Sequence, residues 1–406
     1  MNQTEKYLQE QIAAKLRLMG DHYTRDYAKE QFLDNFSLLP GRGGCLLLQG
    51  IFLQLSGDER YREAMQQAEA FMFNKISTSD RLSPAFCDGL AGWGWLMIYL
   101  KEHGILQEFD DSILEEIDAA VAGNLDAMLD NGNYDLFYGT LGIGLYFLKR
   151  KKTLLVEKIL RHLSDNAVKD RDEMKWIQFR PVTSAEPMYD LGLPHGITGI
   201  LYFINKCYKE NVLPALCETL LQQGIAFFLH NIQDEEKTGS FFPYWIATAK
   251  YDNGKNNPSR SRIAWCYGDL NILYTLLQVS RTVKDEGLEA AVVTMLLRTC
   301  ERKAPAATDI EEAGFCHGTS GVAYIYLKLY RQTGIPAFKE TADYWYLQTC
   351  DFGKEQGPAG YLFHSGQELG IPVSGILEGL GGVTLSFLAY LYPGLRENWD
   401  ECLFLS

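Results

Sequence analysis

Two short strings carry residue types that can do chemistry: Trp265-Cys266-Tyr267-Gly268 and Phe315-Cys316-His317-Gly318. Together they supply two thiols and one imidazole, and each string ends at a glycine that opens an apolar segment. Two cysteines and one histidine are a ligand set of zinc sites with three protein ligands, in which the fourth position stays open. A single cysteine of this kind is more often a small buried side chain. The two strings together predict a catalytic zinc site formed by Cys266, Cys316 and His317.

The helices that must position these residues follow from a sevenfold repeat. A glycine-containing tetrad followed by an apolar segment recurs at intervals of 48 to 72 residues, which fits two helices and two connections. The apolar segments are hydrophobic on nearly every side, and such helices must be surrounded by protein. The segments between them, such as residues 61–73 and 109–128, have an amphipathic pattern. The tetrads begin at Gly41, Gly89, Gly139, Gly196, Gly268, Gly318 and Gly379.

Seven buried helices, each backed by an amphipathic one, predict an all-α fold of the α/α toroid type. In this fold an inner ring of seven helices lies inside an outer ring of seven. We expect a single domain over residues 1–406, with the repeats between about 39 and 392. An open solenoid of helix pairs is the alternative. The long interval between the fourth and fifth tetrads predicts a small irregular or β insertion near residues 233–261.

The polar residues of the repeats share a register. Cys266 and Cys316 precede the first glycine of their tetrads by two residues, His195 and His317 by one, and Asp135 by four. If the repeats are structurally equivalent, these side chains lie at the same end of the barrel. His195 is therefore a candidate general acid or base. Asp135 has two open interpretations, as a partner of the site or as a simple helix cap.

Composition excludes some classes of function. The formal net charge is −14, whereas nucleic-acid binding requires a basic surface. Nine cysteines without a regular framework, and no apolar segment at the start of the sequence, predict a reducing, cytoplasmic environment. No uninterrupted apolar run reaches the length of a membrane span.

The sequence resembles the lanthionine synthetase C-like family over about residues 39–392. The resemblance rests on the two strings above, on Pro194-His195-Gly196 and Tyr134-Asp135, and on the seven tetrads. It implies a double α-toroid of fourteen helices and zinc held by the two cysteines and His317. Asn271 and the degenerate first tetrad depart from the pattern at scaffold positions only. The resemblance further implies that the residues around the metal are His195, Asp135, Arg262 and Tyr267.

Members of that family close thioether rings by adding a peptide cysteine to dehydroalanine or dehydrobutyrine. The resemblance thus implies a zinc-dependent cyclase whose partner is a dehydrated precursor peptide. A dehydratase and an export transporter are further candidate partners, which would place the chain in a membrane-associated modification complex. His195 is expected to protonate the α-carbon or to take the thiol proton, and Arg262 or Tyr267 to stabilise the enolate.

Three other functions fit parts of the pattern. The main alternative is a non-catalytic, zinc-containing protein of the same fold that binds a peptide or glutathione. A prenyltransferase β-subunit also joins an α/α barrel to zinc, but its ligand set includes a carboxylate. A glycosidase of this fold would need a carboxylate pair and would leave Cys266 and Cys316 unexplained.

Overall fold

The computed structural model describes residues 3–29, 33–79, 81–106, 109–178, 187–251, 258–354, 357–365, 368–395 and 398–406. The chain is mainly helical and divides into two compact units. Unit 1 comprises Met1–Ile117 and Ile310–Ser406, and unit 2 is the continuous segment Asp118–Asp309. None of the helices in the described part combines the length and hydrophobicity that a transmembrane segment requires.

Each tetrad starts an inner helix, and the first glycine of the tetrad is its N-cap. Most side chains of these helices are buried; in the second, every residue from Leu90 to Leu100 is. The inner helices are α2 (Arg42–Ser56), α4 (Leu90–Glu102), α6 (Thr140–Lys149), α8 (Ile197–Lys209), α12 (Asp269–Val283), α15 (Thr319–Thr333) and α17 (Leu380–Leu391).

The long helices between them are largely amphipathic and supply the second layer. In α7, for example, Val156, Ile159, Leu160 and Leu163 are buried, at the spacing of one helix face. The outer helices are α1 (Gln3–Arg25), α3 (Glu59–Thr78), α5 (Ser112–Asp130), α7 (Thr153–Asn166), α9 (Pro214–His230), α13 (Glu286–Thr299) and α16 (Pro336–Phe352).

A six-residue loop, called here a cap loop, precedes each N-cap glycine and folds back onto the first turn of the helix. In five of the seven loops the carbonyl of the first residue accepts the N–H of the first helical residue, as between Ser83 and Leu90 at 2.8 Å and between Glu312 and Thr319 at 3.0 Å. The loop thereby satisfies an N–H group that a helix N-terminus leaves without an intrahelical partner. The cap loops are residues 35–40, 83–88, 133–138, 190–195, 262–267, 312–317 and 373–378.

This fold-back explains the glycine at the end of the tetrad. A Cβ atom on Gly92 would lie 1.8 Å from the carbonyl oxygen of Phe86, and one on Gly321 would lie 2.0 Å from that of Phe315. No side chain fits at these distances, so glycine is required because the cap loop approaches the helix so closely.

The fifth repeat departs from the others in both sequence and backbone. Its N-cap, Gly268, has φ +95°, whereas the six other N-cap glycines have extended conformations with negative φ. The same repeat carries Asn271 in place of the last glycine. Asn271 is buried, and its amide nitrogen and oxygen have no hydrogen-bond partner among the described residues.

In unit 1, the inner helices α15, α17, α2 and α4 pack side by side in that order. Helix α3 packs against α2, and α16 packs against α15. The outer helix that packs against α17 is α1, which also contacts α16 and α2. Two of its residues bind one serine: Nε2 of His22 lies 2.6 Å from Oγ of Ser374, and the Tyr23 hydroxyl donates to the Ser374 carbonyl at 2.8 Å.

In unit 2, α6, α8 and α12 pack side by side, and α7, α9 and α13 pack against them in turn. Helix α5 joins α6 through Asp118, whose carboxylate accepts hydrogen bonds at 2.7 Å from both Tyr146 and Arg150. Burial acts to raise the pKa of Asp118, but Arg150, Tyr146 and Lys152 hold it below its ordinary value.

Three small antiparallel sheets accompany the helices. Strand β1 (Val168–Asp170) pairs with β2 (Glu173–Lys175), β3 (Met188–Asp190) with β4 (Trp245–Ala247), and β5 (Phe363–Ser365) with β6 (Glu368–Ile371). The predicted insertion near residues 233–261 contains β4 and two short helices, α10 (Glu235–Thr238) and α11 (Thr248–Tyr251). Residues 252–257 of that insertion lie outside the described residues. A further short helix, α14 (Pro305–Thr308), follows α13.

The glycine contacts generate a stability prediction. Gly92→Ala should lower the free energy of unfolding by roughly 1–3 kcal/mol, the usual cost of forcing a methyl group into a packed interior. The matched control is Gly123→Ala in the middle of α5, where an added Cβ has no neighbouring atom within 4 Å. That change should stabilise the protein by about 0.5–1 kcal/mol. Urea unfolding followed by circular dichroism measures both, and equal midpoints would contradict the close-approach argument.

Candidate metal and acid–base site

All the site residues expected from the sequence lie in four cap loops. Asp135 is in the third cap loop and His195 in the fourth. The fifth contains Arg262, Cys266 and Tyr267, and the sixth contains Cys316 and His317. The side chains are therefore positioned by the same fold-back that caps the inner helices.

In unit 2, backbone hydrogen bonds join the cap loops to one another. The N–H of Leu136 donates to the Pro194 carbonyl, and the N–H of Leu193 donates to the Cys266 carbonyl, both at 2.9 Å. The loop that carries His195 is thus attached on one side to the loop of Asp135 and on the other to the loop of Cys266. This attachment fixes the backbone at each of the three residues.

Unit 1 repeats the arrangement. The N–H of Cys316 donates to the Leu377 carbonyl at 2.9 Å, and the N–H of Ile376 donates to the Leu39 carbonyl at 2.8 Å. The backbone of Cys316 is therefore held by the seventh cap loop, just as that of Cys266 is held by the fourth.

Cys266, Cys316 and His317 form a group that could hold a metal ion. One ligand atom from each lies within 4.8 Å of the other two; both cysteines are buried and His317 is partly exposed. Tetrahedral zinc with Zn–S bonds of about 2.3 Å and Zn–N bonds of about 2.0 Å puts ligand atoms roughly 3.3–3.8 Å apart. The donor set, two thiols and one imidazole, is one that binds zinc. Three protein ligands leave a fourth coordination position for another molecule.

His195 and Asp135 form a second pair. Nδ1 of His195 lies 2.5 Å from Oδ2 of Asp135. The other carboxylate oxygen accepts the backbone N–H groups of Phe137 at 2.6 Å and Tyr138 at 2.9 Å. Asp135 thus does both things that the sequence left open, because one oxygen caps its own loop while the other holds the imidazole. With Nδ1–H donating to Asp135, Nε2 is the ring atom that can exchange a proton.

Two aromatic side chains of the third cap loop enclose the imidazole of His195. The Phe137 ring meets it edge-on at 5.5 Å between centroids, and the Tyr138 ring is nearly parallel to it at 6.2 Å. Tyr138 is 48% exposed, whereas Phe137 is buried and stacks on Trp265 at 5.8 Å. The ring of His195 is held by packing as well as by Asp135.

Arg262 and Tyr267 are each held by a residue that sequence reasoning missed. The backbone N–H and Nε of Arg262 both donate to the hydroxyl oxygen of Tyr244, at 3.0 and 3.3 Å. The hydroxyl of Tyr267 donates to Oδ2 of Asp190 at 3.0 Å. A Cβ atom on Gly192 would lie 2.4 Å from the Tyr267 ring, so the fourth cap loop leaves room for this ring only because it has glycine there.

A buried ion pair anchors the start of the fifth cap loop. Asp269 accepts the N–H groups of Phe241 and Phe242 at 3.0 and 2.9 Å and pairs with Arg302 at 2.7 Å. Arg302 also donates to the carbonyl of Ser261, the residue before Arg262. Burial raises the pKa of Asp269 to about 6, against the opposing charge of Arg302.

Glu312 is a third residue that the sequence analysis did not select. Its carboxylate is buried, with Oε1 at 3.3 Å from Nε2 of His317. Burial raises the pKa of Glu312, and His317 opposes that shift. A positional signal existed for Glu312 and Asp190, since both are the first residue of a cap loop, as is Arg262. Tyr244 lies outside the repeats, in the insertion, and no pattern marks it.

Comparison with known proteins identifies the family. The family described as lanthionine synthetase C-like protein matches residues 33–404. The chain belongs to this family. No curated protein matches the sequence.

Among solved structures, nisin cyclase is similar to this lanthionine synthetase C-like chain with a TM-score of 0.75 and 18% sequence identity, covering 98% of this chain and 97% of that one. The similarity confirms the expected all-α toroid. A structure described as a possible member of the GH105 family from Klebsiella pneumoniae has a TM-score of 0.45 and 13% identity, covering 96% and 93% of the two chains. We draw no conclusion from a similarity with that TM-score.

The ligand group generates a metal-binding prediction. Wild-type protein purified with zinc present should retain about one zinc ion per chain, and Cys316→Ala should lose it because two protein ligands remain. The matched control is Cys87→Ala, a buried cysteine two residues before its glycine in the second repeat and outside the ligand group. Zinc is counted by mass spectrometry of the desalted proteins. Retention of zinc by Cys316→Ala, or its loss from Cys87→Ala, would contradict the assignment.

Proposed function

We propose that this protein is a zinc-dependent peptide cyclase that forms lanthionine or methyllanthionine thioethers in a dehydrated precursor peptide. The observation that supports this function is the group formed by Cys266, Cys316 and His317, together with the His195–Asp135 pair on a cap loop bonded to that of Cys266. Membership of the lanthionine synthetase C-like family supports the same reaction class.

The reaction needs a thiolate and one proton transfer. The thiolate, not the thiol, is the nucleophile. Zinc at the three ligands would supply that species, since a coordinating thiol is deprotonated. The sulfur then forms a bond to the β-carbon of dehydroalanine or dehydrobutyrine, and the carbon–carbon π bond becomes an enolate. The α-carbon finally takes a proton, so the thiol hydrogen is recovered in the product and no oxidant or reductant is needed.

His195 is our candidate for moving that proton. Its Nδ1 faces Asp135, which fixes the tautomer with Nε2 available for exchange. Nε2 can take the proton of the incoming thiol and return it to the α-carbon, or do either step alone. The ring position is set by Asp135 and the two aromatic side chains, which limits the reorganisation that proton transfer requires.

The oxygen of the enolate needs a positive or donating group. Tyr267 donates its hydroxyl hydrogen to Asp190, so its proton is committed. Arg262 carries a permanent positive charge and N–H donors in a planar fork, which suits a developing oxyanion. We therefore assign enolate stabilisation to Arg262 and a positioning role to Tyr267, which orders the fourth and fifth cap loops against each other.

The proposed reaction implies which proteins act before and after this one, and where in the cell they act. The precursor peptide must be dehydrated before it reaches this site, so a dehydratase acts first, and an export transporter would remove the product. We expect this chain and the dehydratase to act in the cytoplasm, where free thiols persist, in a modification complex at the membrane that holds the transporter. The nine cysteines, all of which lie in the described part of the chain and form no disulfide there, agree with such an environment.

His195→Gln tests the function. The variant should slow cyclisation of a synthetic peptide with one dehydroalanine and one cysteine by about 10²–10⁴-fold, the usual contribution of a general acid or base. It should keep its zinc, because His195 is not in the ligand group. Cyclisation leaves the mass unchanged, so it is followed by mass spectrometry after alkylation of the remaining free thiol.

The control for this experiment is His103→Gln, at the C-terminus of α4, which should cyclise at the wild-type rate. Zinc-loaded wild-type protein that binds the peptide but never accelerates ring closure would overturn the proposal. That result would instead favour a zinc-containing peptide- or glutathione-binding protein of the same fold.

A further inference from the structure

In most cap loops the side chain of the first residue accepts a hydrogen bond from the backbone of the same loop. Asn35, Asn133 and Asp190 each use a side-chain oxygen to accept the N–H two residues later, at 3.0, 3.3 and 2.8 Å. Ser83 does the same at 3.2 Å. These are local turns of the kind that short polar side chains favour.

Glu312 holds the same position in the sixth cap loop and behaves differently. Its backbone carbonyl keeps the common role by accepting the N–H of Thr319 at 3.0 Å. Its longer side chain leaves the loop, and Oε2 accepts the backbone N–H of His364 at 2.7 Å. The residue is 3% exposed, so its carboxylate is directed into the protein and not toward solvent.

The second carboxylate oxygen faces the candidate metal ligand. Oε1 of Glu312 lies 3.3 Å from Nε2 of His317 and has no hydrogen-bond partner among the described residues. The neighbouring Gly314 leaves room for it, since a Cβ atom there would lie 2.7 Å from Oε1. A buried carboxylate oxygen without another partner, beside a ring nitrogen, indicates a built contact with the imidazole.

We propose that Glu312 is the positioning residue of the metal site. Its Oε1 faces Nε2 of His317 and thereby favours the tautomer that carries Nε2–H and leaves the Nδ1 lone pair for the metal. The inference rests on the proposed function, because it takes zinc as the ion held by Cys266, Cys316 and His317. Glu312 binds no metal itself; it acts through His317.

The contact has two physical effects. It holds the imidazole plane in one orientation, so less freedom is lost when the metal binds. It also raises the basicity of the ligating nitrogen, because the carboxylate stabilises positive charge on the ring. Removal of such a partner typically lowers metal affinity about 10–100-fold.

Glu312→Gln tests the proposal with little change in size. A glutamine amide has one oxygen and one NH₂ group, so it can accept from either His317 or the His364 N–H, but not from both. The matched control is Glu311→Gln, which removes the same charge from the exposed neighbouring residue. Zinc dissociation constants are measured by competition with a chromophoric chelator, and melting temperatures with and without zinc.

We expect Glu312→Gln to bind zinc about 10–100-fold more weakly than wild type and Glu311→Gln to bind it equally well. The metal-free melting temperature should be the same in both variants, and zinc should raise it less in Glu312→Gln. Should Glu312→Gln fail to fold, Gly314→Ala serves instead, because its added Cβ displaces Oε1 without changing any charge. It should weaken zinc binding in the same direction.

The outcomes separate the two proposals. Wild-type zinc affinity in Glu312→Gln, or a lower metal-free melting temperature with unchanged affinity, overturns the role of Glu312 and leaves the proposed function intact. Wild-type protein that binds no zinc overturns both.

Discussion

The close approach between each cap loop and the first turn of its inner helix is the constraint on which this protein depends. A helix N-terminus exposes N–H groups that need partners. Here the partners are main-chain carbonyls of the preceding loop, which requires glycine where the loop touches the helix. Side chains are then not needed for capping. The last two loop positions before the glycine can then carry cysteine, histidine and tyrosine, and the first loop position can carry arginine.

In most cap loops the backbone caps the helix, so the side chain of the first loop residue can differ from one repeat to the next. The first residue is a short turn-forming side chain in the loops of Asn35, Ser83 and Asn133, and a charged one at Arg262 and Glu312. Asp190 combines the two roles, because one oxygen closes the local turn and the other accepts the Tyr267 hydroxyl. Outside the fifth repeat the N-cap glycines share one extended backbone conformation, so substitution at this position alters the site with little effect on the helix behind it.

The sequence predicted the fold well because each tetrad reflects a local requirement, namely glycine where the cap loop touches the inner helix. This requirement is visible in the sequence without knowledge of any long-range contact. It also selected the thiols and imidazoles, since few residue types can bind zinc and their register is regular. The partners of those residues were not predictable in the same way. Glu312, Asp190 and Tyr244 are ordinary polar residues whose targets depend on how separate loops meet. Strand β4 lies in the predicted insertion, whereas the other five strands were missed because they are too short to show alternation.

The packing of α1 against α17 has a consequence for how the chain folds. These helices lie near opposite ends of the sequence, so unit 1 is completed by contacts between residues more than 350 positions apart, such as His22 and Ser374. Unit 2 is a single continuous segment whose contacts are all shorter in sequence. Because distant pairings cost more loop-closure entropy and form more slowly, unit 2 can gain its structure early during synthesis, whereas unit 1 must wait for α17 to emerge from the ribosome. Helix α1 can pack against α2 and α3 soon after these are made, but its contacts with α16 and α17 form only when the last part of unit 1 has been synthesised.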